Sequence, residues 1–252
     1  MAETWTASWK SYLCKVNGEL ASILLDLGLG SVSPIASKPV LLWVWIYFQS
    51  PRTDGLSDDG EAPTLFKIED SLKECLAHEC QAILSGRITT QGRREFYFYG
   101  EKREGFRNSV EAALKDFEGY KFDLGDEDDP GWEQYINVLY PSPEDLQRIA
   151  NMDLLDVLKK NGDVHTVARE VQHWLYFGSD SSRAHFRDAV AGSDFNIDSE
   201  YMSEGQLPYC IVVTRTQSVE QSAIDSTVIE LLQLAQEFGG EYDGWETPII
   251  LQ

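Results

Sequence analysis

Four residues with metal-binding side chains fall within two turns of the helix predicted over residues 65–80. They are Cys75, His78, Glu79 and Cys80, and the first two would share one helix face because they are three residues apart. A tetrahedral zinc site usually draws its ligands from two segments, and the sequence has no second cluster of cysteine and histidine. We therefore predict no metal site here and expect core cysteines beside a surface histidine.

Cys210 and His173 are the most plausible nucleophile and base in the sequence. They fall on two predicted strands that we expect to be neighbours in the centre of one sheet, so a contact between thiol and imidazole is conceivable. Cysteine is also a common small core residue, and His173 alternates with apolar residues, which favours a structural role for both. No spacing among the 42 acidic residues identifies a catalytic pair. We predict that the chain is not an enzyme and uses no cofactor.

An acidic run at residues 126–129, Asp-Glu-Asp-Asp, is the remaining candidate for a metal site. A calcium loop needs spaced oxygen ligands and a distant glutamate, and this run has neither. We expect it to be a solvated acidic turn.

The charge of the chain is strongly negative in both halves. The 252 residues include 21 Lys+Arg and 42 Asp+Glu, a net charge of -21. Residues 1–140 carry a net charge of -9 and residues 141–252 a net charge of -12. Such a field repels nucleic acid and anionic membranes and favours encounter with basic surfaces, although it could also simply keep a cytosolic protein in solution.

Several features of the sequence favour the cytoplasm. Its opening residues do not resemble a signal peptide, and its four cysteines are scattered, as expected in a reducing compartment. The longest apolar run, residues 40–48, is much shorter than the roughly 20 residues that a membrane helix needs. We predict a cytoplasmic protein that does not bind membranes.

The segment 169–177 alternates with a period of two, which predicts a β-strand. One face would carry His173 among apolar side chains, and the other face would carry two aromatic residues among polar ones: Glu170, Gln172, Trp174 and Tyr176. The segment 44–48 has the same pattern, with Trp45 and Tyr47 in the places of the two aromatics. Both strands place apolar residues on one face and two aromatic residues on the other, which suggests that the chain contains two copies of one architecture.

Both halves of the chain are predicted to have the order βαββαβ, which is the ferredoxin-like unit. In the first half, an extra hairpin around Asn17-Gly18 precedes the predicted elements 40–49, 65–80, 82–90, 93–99, 106–117 and 120–124. In the second half, a helix beginning at Ser142-Pro143 precedes the predicted elements 167–177, 181–190, 195–202, 209–216, a helix capped by Ser218, and 241–247. We predict an α+β protein with two tandem ferredoxin-like domains, residues 1–140 and 141–252. Helices would cover one face of each sheet and leave aromatic residues on the other face, against the neighbouring domain or a partner.

Three motifs in the second half occur together in a known family. They are Arg169-Glu170-Val171-x-His173-Trp174-x-Tyr176-Phe177, Val212-Val213-Thr214-Arg215-Thr216, and Gly239-Gly240-Glu241-Tyr242-Asp243-Gly244-Trp245-Glu246-Thr247. In this order they resemble the regulator of ribonuclease E activity B family over about residues 145–250. The resemblance implies a ferredoxin-like fold and a cytoplasmic bacterial protein that binds ribonuclease E and inhibits RNA cleavage without being an enzyme. The first half looks like a domain of unknown function that is often fused to that module.

The resemblance leaves three kinds of function to compare. An RNA-recognition motif has the same element order, but the strand 209–215 lacks its basic and aromatic series and the domain is acidic, so we predict no direct binding of nucleic acid. The favoured partner is ribonuclease E or another basic, arginine-rich protein segment. The alternative is a small-molecule-binding or hydrolytic protein with a pocket at the interdomain seam, lined by His173, Cys210 and paired carboxylates. Oligomeric state stays open.

The residues that we expect to contact the partner come from the first and last of the three motifs. Alternation along the last motif also predicts that Tyr242 and Trp245 face opposite sides of the sheet. The candidate contact residues are Glu170, Trp174, Tyr176, Asp243, Trp245 and Glu246.

Overall fold

The computed structural model describes residues 4–251 and separates into two compact units. Unit 1 ends at Pro141 and unit 2 begins at Ser142. Each unit has its own antiparallel sheet with helices packed on one face of it. The predicted α+β class with two tandem ferredoxin-like domains is confirmed.

Unit 1 contains a six-stranded sheet, two α-helices and two short helical segments, Leu27–Ser31 and Gln134–Leu139. Its elements are β1 (Trp9–Val16), β2 (Glu19–Asp26), β3 (Val40–Tyr47), α1 (Ala62–Glu79), β4 (Ile83–Thr90), β5 (Arg93–Gly100), α2 (Phe106–Leu114) and β6 (Phe122–Asp128). The strand order is β1-β2-β4-β5-β3-β6. The last four strands have the ferredoxin-like order, and the predicted extra hairpin widens the same sheet by pairing β2 with β4.

The two hairpins of unit 1 are closed by two-residue turns that the sequence specifies. Asn17 and Gly18 have φ of 53° and 88°, and Gln91 and Gly92 have φ of 49° and 75°. Two successive residues with positive φ give the turn whose twist matches that of the flanking strands. Asn-Gly and Gln-Gly therefore fix the register of β1 with β2 and of β4 with β5.

A short helical segment, Gln134–Leu139, packs on the sheet face of unit 1 that α1 and α2 leave free. Just before it, the ring of Trp132 stacks on Tyr99 with the ring centres 4.0 Å apart. Asp129 accepts the Tyr99 hydroxyl at 2.6 Å and the backbone N–H of Glu133 at 2.8 Å. The run 126–129 is solvated through Asp128 as expected, but those residues belong to strand β6 and not to a turn. Asp129 is buried, contrary to the expectation, because it accepts the first backbone N–H groups of the helical segment.

Unit 2 contains a four-stranded sheet and three helices. Its elements are α3 (Pro143–Lys160), β7 (Arg169–Phe177), α4 (Asp180–Val190), β8 (Asn196–Met202), β9 (Tyr209–Gln217), α5 (Gln221–Glu237) and β10 (Gly240–Glu246). The strand order is β10-β7-β9-β8. Its core is formed by apolar residues of the helices packed against one face of the sheet, including Leu155, Val171, Leu175, Phe186, Ile211, Val213, Val228 and Leu231.

Helix α3 begins where the sequence predicts, whereas helix α5 begins later than predicted. Ser142 caps α3 as predicted, because its Oγ accepts the backbone N–H of Asp145 at 3.1 Å. Ser218 was expected to cap α5, but that helix begins only at Gln221 and has no side-chain cap. The reason is that the Val219 N–H bonds to the His165 carbonyl at 2.9 Å, which keeps the chain extended past Ser218. No helix within residues 4–251 is long and apolar enough to cross a membrane.

Candidate functional site

The candidate site is the face of the unit 2 sheet that α3, α4 and α5 do not cover, which we call the helix-free face. Strand pairing places Trp174 opposite Val212, and Tyr176 opposite Cys210, which is itself opposite Tyr201. The helix-free face is formed by Glu170, Gln172, Trp174, Tyr176, Ser199, Tyr201, Cys210, Val212, Thr214, Thr216, Glu241 and Glu246. This set contains three carboxylates and three large aromatic residues, and none of its members is a lysine or arginine.

Three side chains at one end of this face, those of Tyr176, Tyr201 and Cys210, are neighbours across strands β7, β9 and β8. Burial raises the pKa of Tyr176, and contacts with Tyr201 and Cys210 modify it further. Interaction with the neighbouring Cys210 side chain is the main reason why the pKa of Tyr201 is raised, followed by burial. Both phenols therefore stay protonated at neutral pH, and they offer ring faces and hydroxyl groups rather than negative charge. Ring faces of this kind can stack on a guanidinium group.

A β-bulge in β10 decides which residues of the last motif reach the helix-free face. The register with β7 shifts between Tyr242 and Gly244, so Asp243 is an extra residue. Tyr242 and Trp245 consequently lie on the same, helix-covered face, and the prediction that they face opposite sides is wrong. Trp245 is 9% exposed, and its Nε1 donates to Asn151 Oδ1 at 2.8 Å.

Four of the six predicted contact residues come together on the helix-free face: Glu170, Trp174, Tyr176 and Glu246. Asp243 is exposed at the bulge on the edge of the sheet, and Trp245 lies in the core. Sequence reasoning missed Tyr201 and Glu241. Alternation along their own strands could have indicated both of them, but only the strand pairing shows that they neighbour Tyr176.

His173 and Cys210 lie on opposite faces of the sheet. His173 is opposite Val213, whereas Cys210 is opposite Tyr176, so the thiol–imidazole contact considered above is wrong. His173 is fully buried, and its Nδ1 is 2.9 Å from the Tyr242 hydroxyl. Burial, assisted by the charge of Arg215, lowers the pKa of His173 to about 3. The imidazole is therefore neutral, and its hydrogen bond with the Tyr242 hydroxyl gives it a structural role.

The cysteines and histidine of α1 do not gather into a ligand set. Cys80 is buried in the core of unit 1, while the His78 side chain is 89% exposed. Across residues 4–251, no three His, Cys, Asp or Glu side chains are arranged so that they could hold a metal ion.

Comparisons with known proteins match the two units to two different families. Residues 7–140 match the family of unknown function DUF695. Residues 148–247 match the family Regulator of ribonuclease activity B. No curated protein matches the chain. Both family resemblances inferred from the sequence motifs are therefore confirmed.

Two solved structures also align with most of the chain, at low similarity. One is the crystal structure of an unknown protein from Galdieria sulphuraria, with 11% identity, 84% of this chain and 99% of that chain covered, and a TM-score of 0.22. The other is a protein described provisionally as a glycine cleavage system transcriptional repressor, with 9% identity, coverage of 83% and 98%, and a TM-score of 0.22. Neither informs the function of this chain.

The match over residues 7–140 spans more than half of the 252 residues. The chain therefore belongs to the family of unknown function DUF695, and its second unit carries the match to the Regulator of ribonuclease activity B family.

Proposed function

We propose that unit 2 binds a basic, arginine-rich segment of ribonuclease E, or of a related RNA-processing protein, and thereby inhibits RNA cleavage. The observation that carries this proposal is the match of residues 148–247 to regulators of ribonuclease activity. On this proposal the protein acts in the cytoplasm and makes or breaks no covalent bond itself.

The composition of the helix-free face supports a basic partner. Glu170, Glu241 and Glu246 are exposed there, and no cation within that face competes for them. A guanidinium can pair with two carboxylate oxygens at once and can stack on an aromatic ring, and Trp174 and Tyr176 lie between these carboxylates.

Inhibition follows if the bound segment is one that the ribonuclease uses to hold RNA. RNA is a polyanion that binds arginine-rich segments chiefly through its phosphates. A protein face with carboxylates and aromatic rings offers the same segment a comparable set of contacts, so the two would compete. The net charge of -12 over residues 141–252 would also repel RNA from the occupied segment.

The test is the rate of RNA cleavage by purified ribonuclease E with increasing amounts of this protein. We expect the wild-type chain to slow cleavage, and the double variant Glu241→Gln with Glu246→Gln to need at least about tenfold more protein for the same effect. The matched control is Glu237→Gln with Asp188→Asn, which removes the same charge from exposed positions on α5 and α4, off this face. We expect this control to inhibit as the wild type does.

Two outcomes would count against the proposal. Unchanged cleavage at saturating wild-type protein would remove the inhibitory role. Equal loss of inhibition in both double variants would show that net charge, and not the helix-free face, mediates the effect.

A further inference from the structure

Unit 1 carries two arginines on the helix-covered face of its sheet that the proposed function of unit 2 does not use. Arg87 of β4 is opposite Phe96 and Arg94 of β5 is opposite Thr89, which makes the two arginines diagonal neighbours on one face. Their guanidinium carbons lie 5.2 Å and 5.4 Å from the centre of the same ring, that of Phe66 on α1.

The two arginines differ in how their charges are compensated. Arg87 donates to Glu69 of α1, which also lies 3.5 Å from the Lys73 ammonium and is therefore shared between two cations. Arg94 is only 4% exposed, and its Nε donates to Thr89 Oγ1 at 3.3 Å. The buried Nη1 of Arg94 has no hydrogen-bond partner. Within residues 4–251, no carboxylate forms an ion pair with Arg94.

A buried guanidinium without an ion pair lowers the stability of the fold. Its lack of a partner is unexpected in a chain that has twice as many acidic as basic residues. A buried charge without a partner lowers stability, and most buried polar atoms in folded proteins are hydrogen-bonded. Burial lowers the pKa of Arg87 to about 9, with the charge of Arg94 adding to the effect, and it lowers the pKa of Arg94 to about 10 against the opposing charge of Glu61. A site where a buried polar group lacks its usual partner is a candidate for binding a ligand.

An apolar surface continues from the two arginines because the β1–β2 hairpin extends the sheet. Leu24 is opposite Arg87, so it lies on the same face, and the pairing of β1 with β2 continues that face to the edge strand. We call this surface the hairpin shelf. Its apolar residues are Trp9, Leu13, Leu20 and Leu24, and Ser11, Lys15 and Ser22 lie on the same face. Leu13 is 61% exposed and Trp9 42% exposed, and Phe66 of α1 is 49% exposed.

We propose that unit 1 binds a small organic anion at this place. Its carboxylate or phosphate group would pair with Arg94 and Arg87, and its apolar portion would lie on Phe66 and the hairpin shelf. Guanidinium groups bind these oxyanions through paired hydrogen bonds, and the free Nη1 of Arg94 is the donor that such a group would satisfy. This proposal does not depend on the binding of a ribonuclease by unit 2.

The test is isothermal titration calorimetry on the full chain with four probes: hexanoate, hexyl phosphate, inorganic phosphate and hexanol. We expect at least one hexyl anion to bind the wild type, and inorganic phosphate and hexanol to bind at least about tenfold more weakly. Binding of hexanoate alone would identify a carboxylate site, and binding of hexyl phosphate alone a phosphate site. The variant Arg94→Met should lose at least about tenfold in affinity for the hexyl anion.

The matched control is Arg107→Met, which removes the same charge from an exposed arginine on α2 of unit 1 and should bind within about twofold of the wild type. Because Arg94 is a buried charge without an ion pair, Arg94→Met should also melt at or above the wild-type temperature. If that variant does not fold, Arg94→Lys replaces it, since lysine keeps the charge but loses the paired donors and should bind more weakly.

Failure of both hexyl anions to bind would overturn the proposal, and so would equal binding by the wild type and the Arg94 variant. Hexanol binding as tightly as the anions would show that the arginines do not recognise the ligand. Inorganic phosphate binding as tightly as hexyl phosphate would remove the hairpin shelf from the site.

Discussion

The buried imidazole of His173 should make the stability of unit 2 depend on pH. Its pKa in the fold is about 3, and its ordinary value is 6.5. Between these values the unfolded chain binds a proton that the folded chain does not bind, so the free energy of unfolding falls as the pH is lowered. The stabilisation is fully present above pH 6.5 and is lost progressively as the pH falls towards the folded pKa. At about pH 5 the loss from this residue alone is about 2 kcal/mol.

The variant His173→Gln isolates this contribution because its amide can still form a hydrogen bond with the Tyr242 hydroxyl, as donor or acceptor, but does not titrate. We expect this variant to be less stable than the wild type at neutral pH. Between about pH 7.5 and pH 5 it should lose about 2 kcal/mol less stability than the wild type loses. The control His185→Gln, at an exposed position of α4, should keep the pH dependence of the wild type.

The measurement is urea unfolding, monitored by hydrogen exchange of the backbone amides in β7 and β9. A peptide-resolved method is needed because the chain has two units, and a single fluorescence signal would combine two transitions. Peptides from β3 and β5 of unit 1 should behave alike in the wild type and the variant. Equal loss of stability in wild type and His173→Gln, or an imidazole that titrates near its ordinary value in NMR spectra, would refute the reasoning.

Other substitutions in unit 2 test its buried ion pair and its helix caps. Asp163→Asn breaks the pair with Arg169 and leaves that buried guanidinium uncompensated, so it should cost about 3 kcal/mol in urea unfolding. The exposed Asp188→Asn should change stability by less than about 0.5 kcal/mol. Ser142→Ala removes the α3 cap and should cost about 1 kcal/mol, whereas Ser218→Ala should be nearly neutral because Ser218 caps no helix. Equal costs for the two serine variants would contradict the assignment of the caps.

The period of two along residues 169–177 predicted the facing of β7 correctly. The side chains of a strand alternate whatever its partners are, so the local sequence was sufficient there. The two-residue turn Asn17-Gly18 was equally local, because positive φ depends on the turn residues themselves. These signals were enough to predict the order of the elements and the ferredoxin-like class.

Relations between strands could not be predicted in this way. Whether Cys210 faces His173 depends on the register of β9 against β7, and a shift by one residue reverses the face. The bulge at Asp243 likewise depends on how β10 pairs with β7, and it alone places Trp245 in the core. The sheet face of a candidate residue was therefore predicted correctly where alternation along one strand determines it, and wrongly where the pairing between strands determines it. The contact of these residues with a partner stays a prediction.

The two proposed sites differ in charge, and this difference makes them separable. The helix-free face of unit 2 has carboxylates without neighbouring cations, so it should bind a cation-rich partner less tightly as the salt concentration rises. The arginine site of unit 1 is buried, and Arg94 and Arg87 should be screened less by salt. Raising the salt concentration should therefore weaken inhibition of the ribonuclease more than it weakens binding of a hexyl anion. A common salt dependence would mean that overall charge, rather than either set of contacts, governs both interactions.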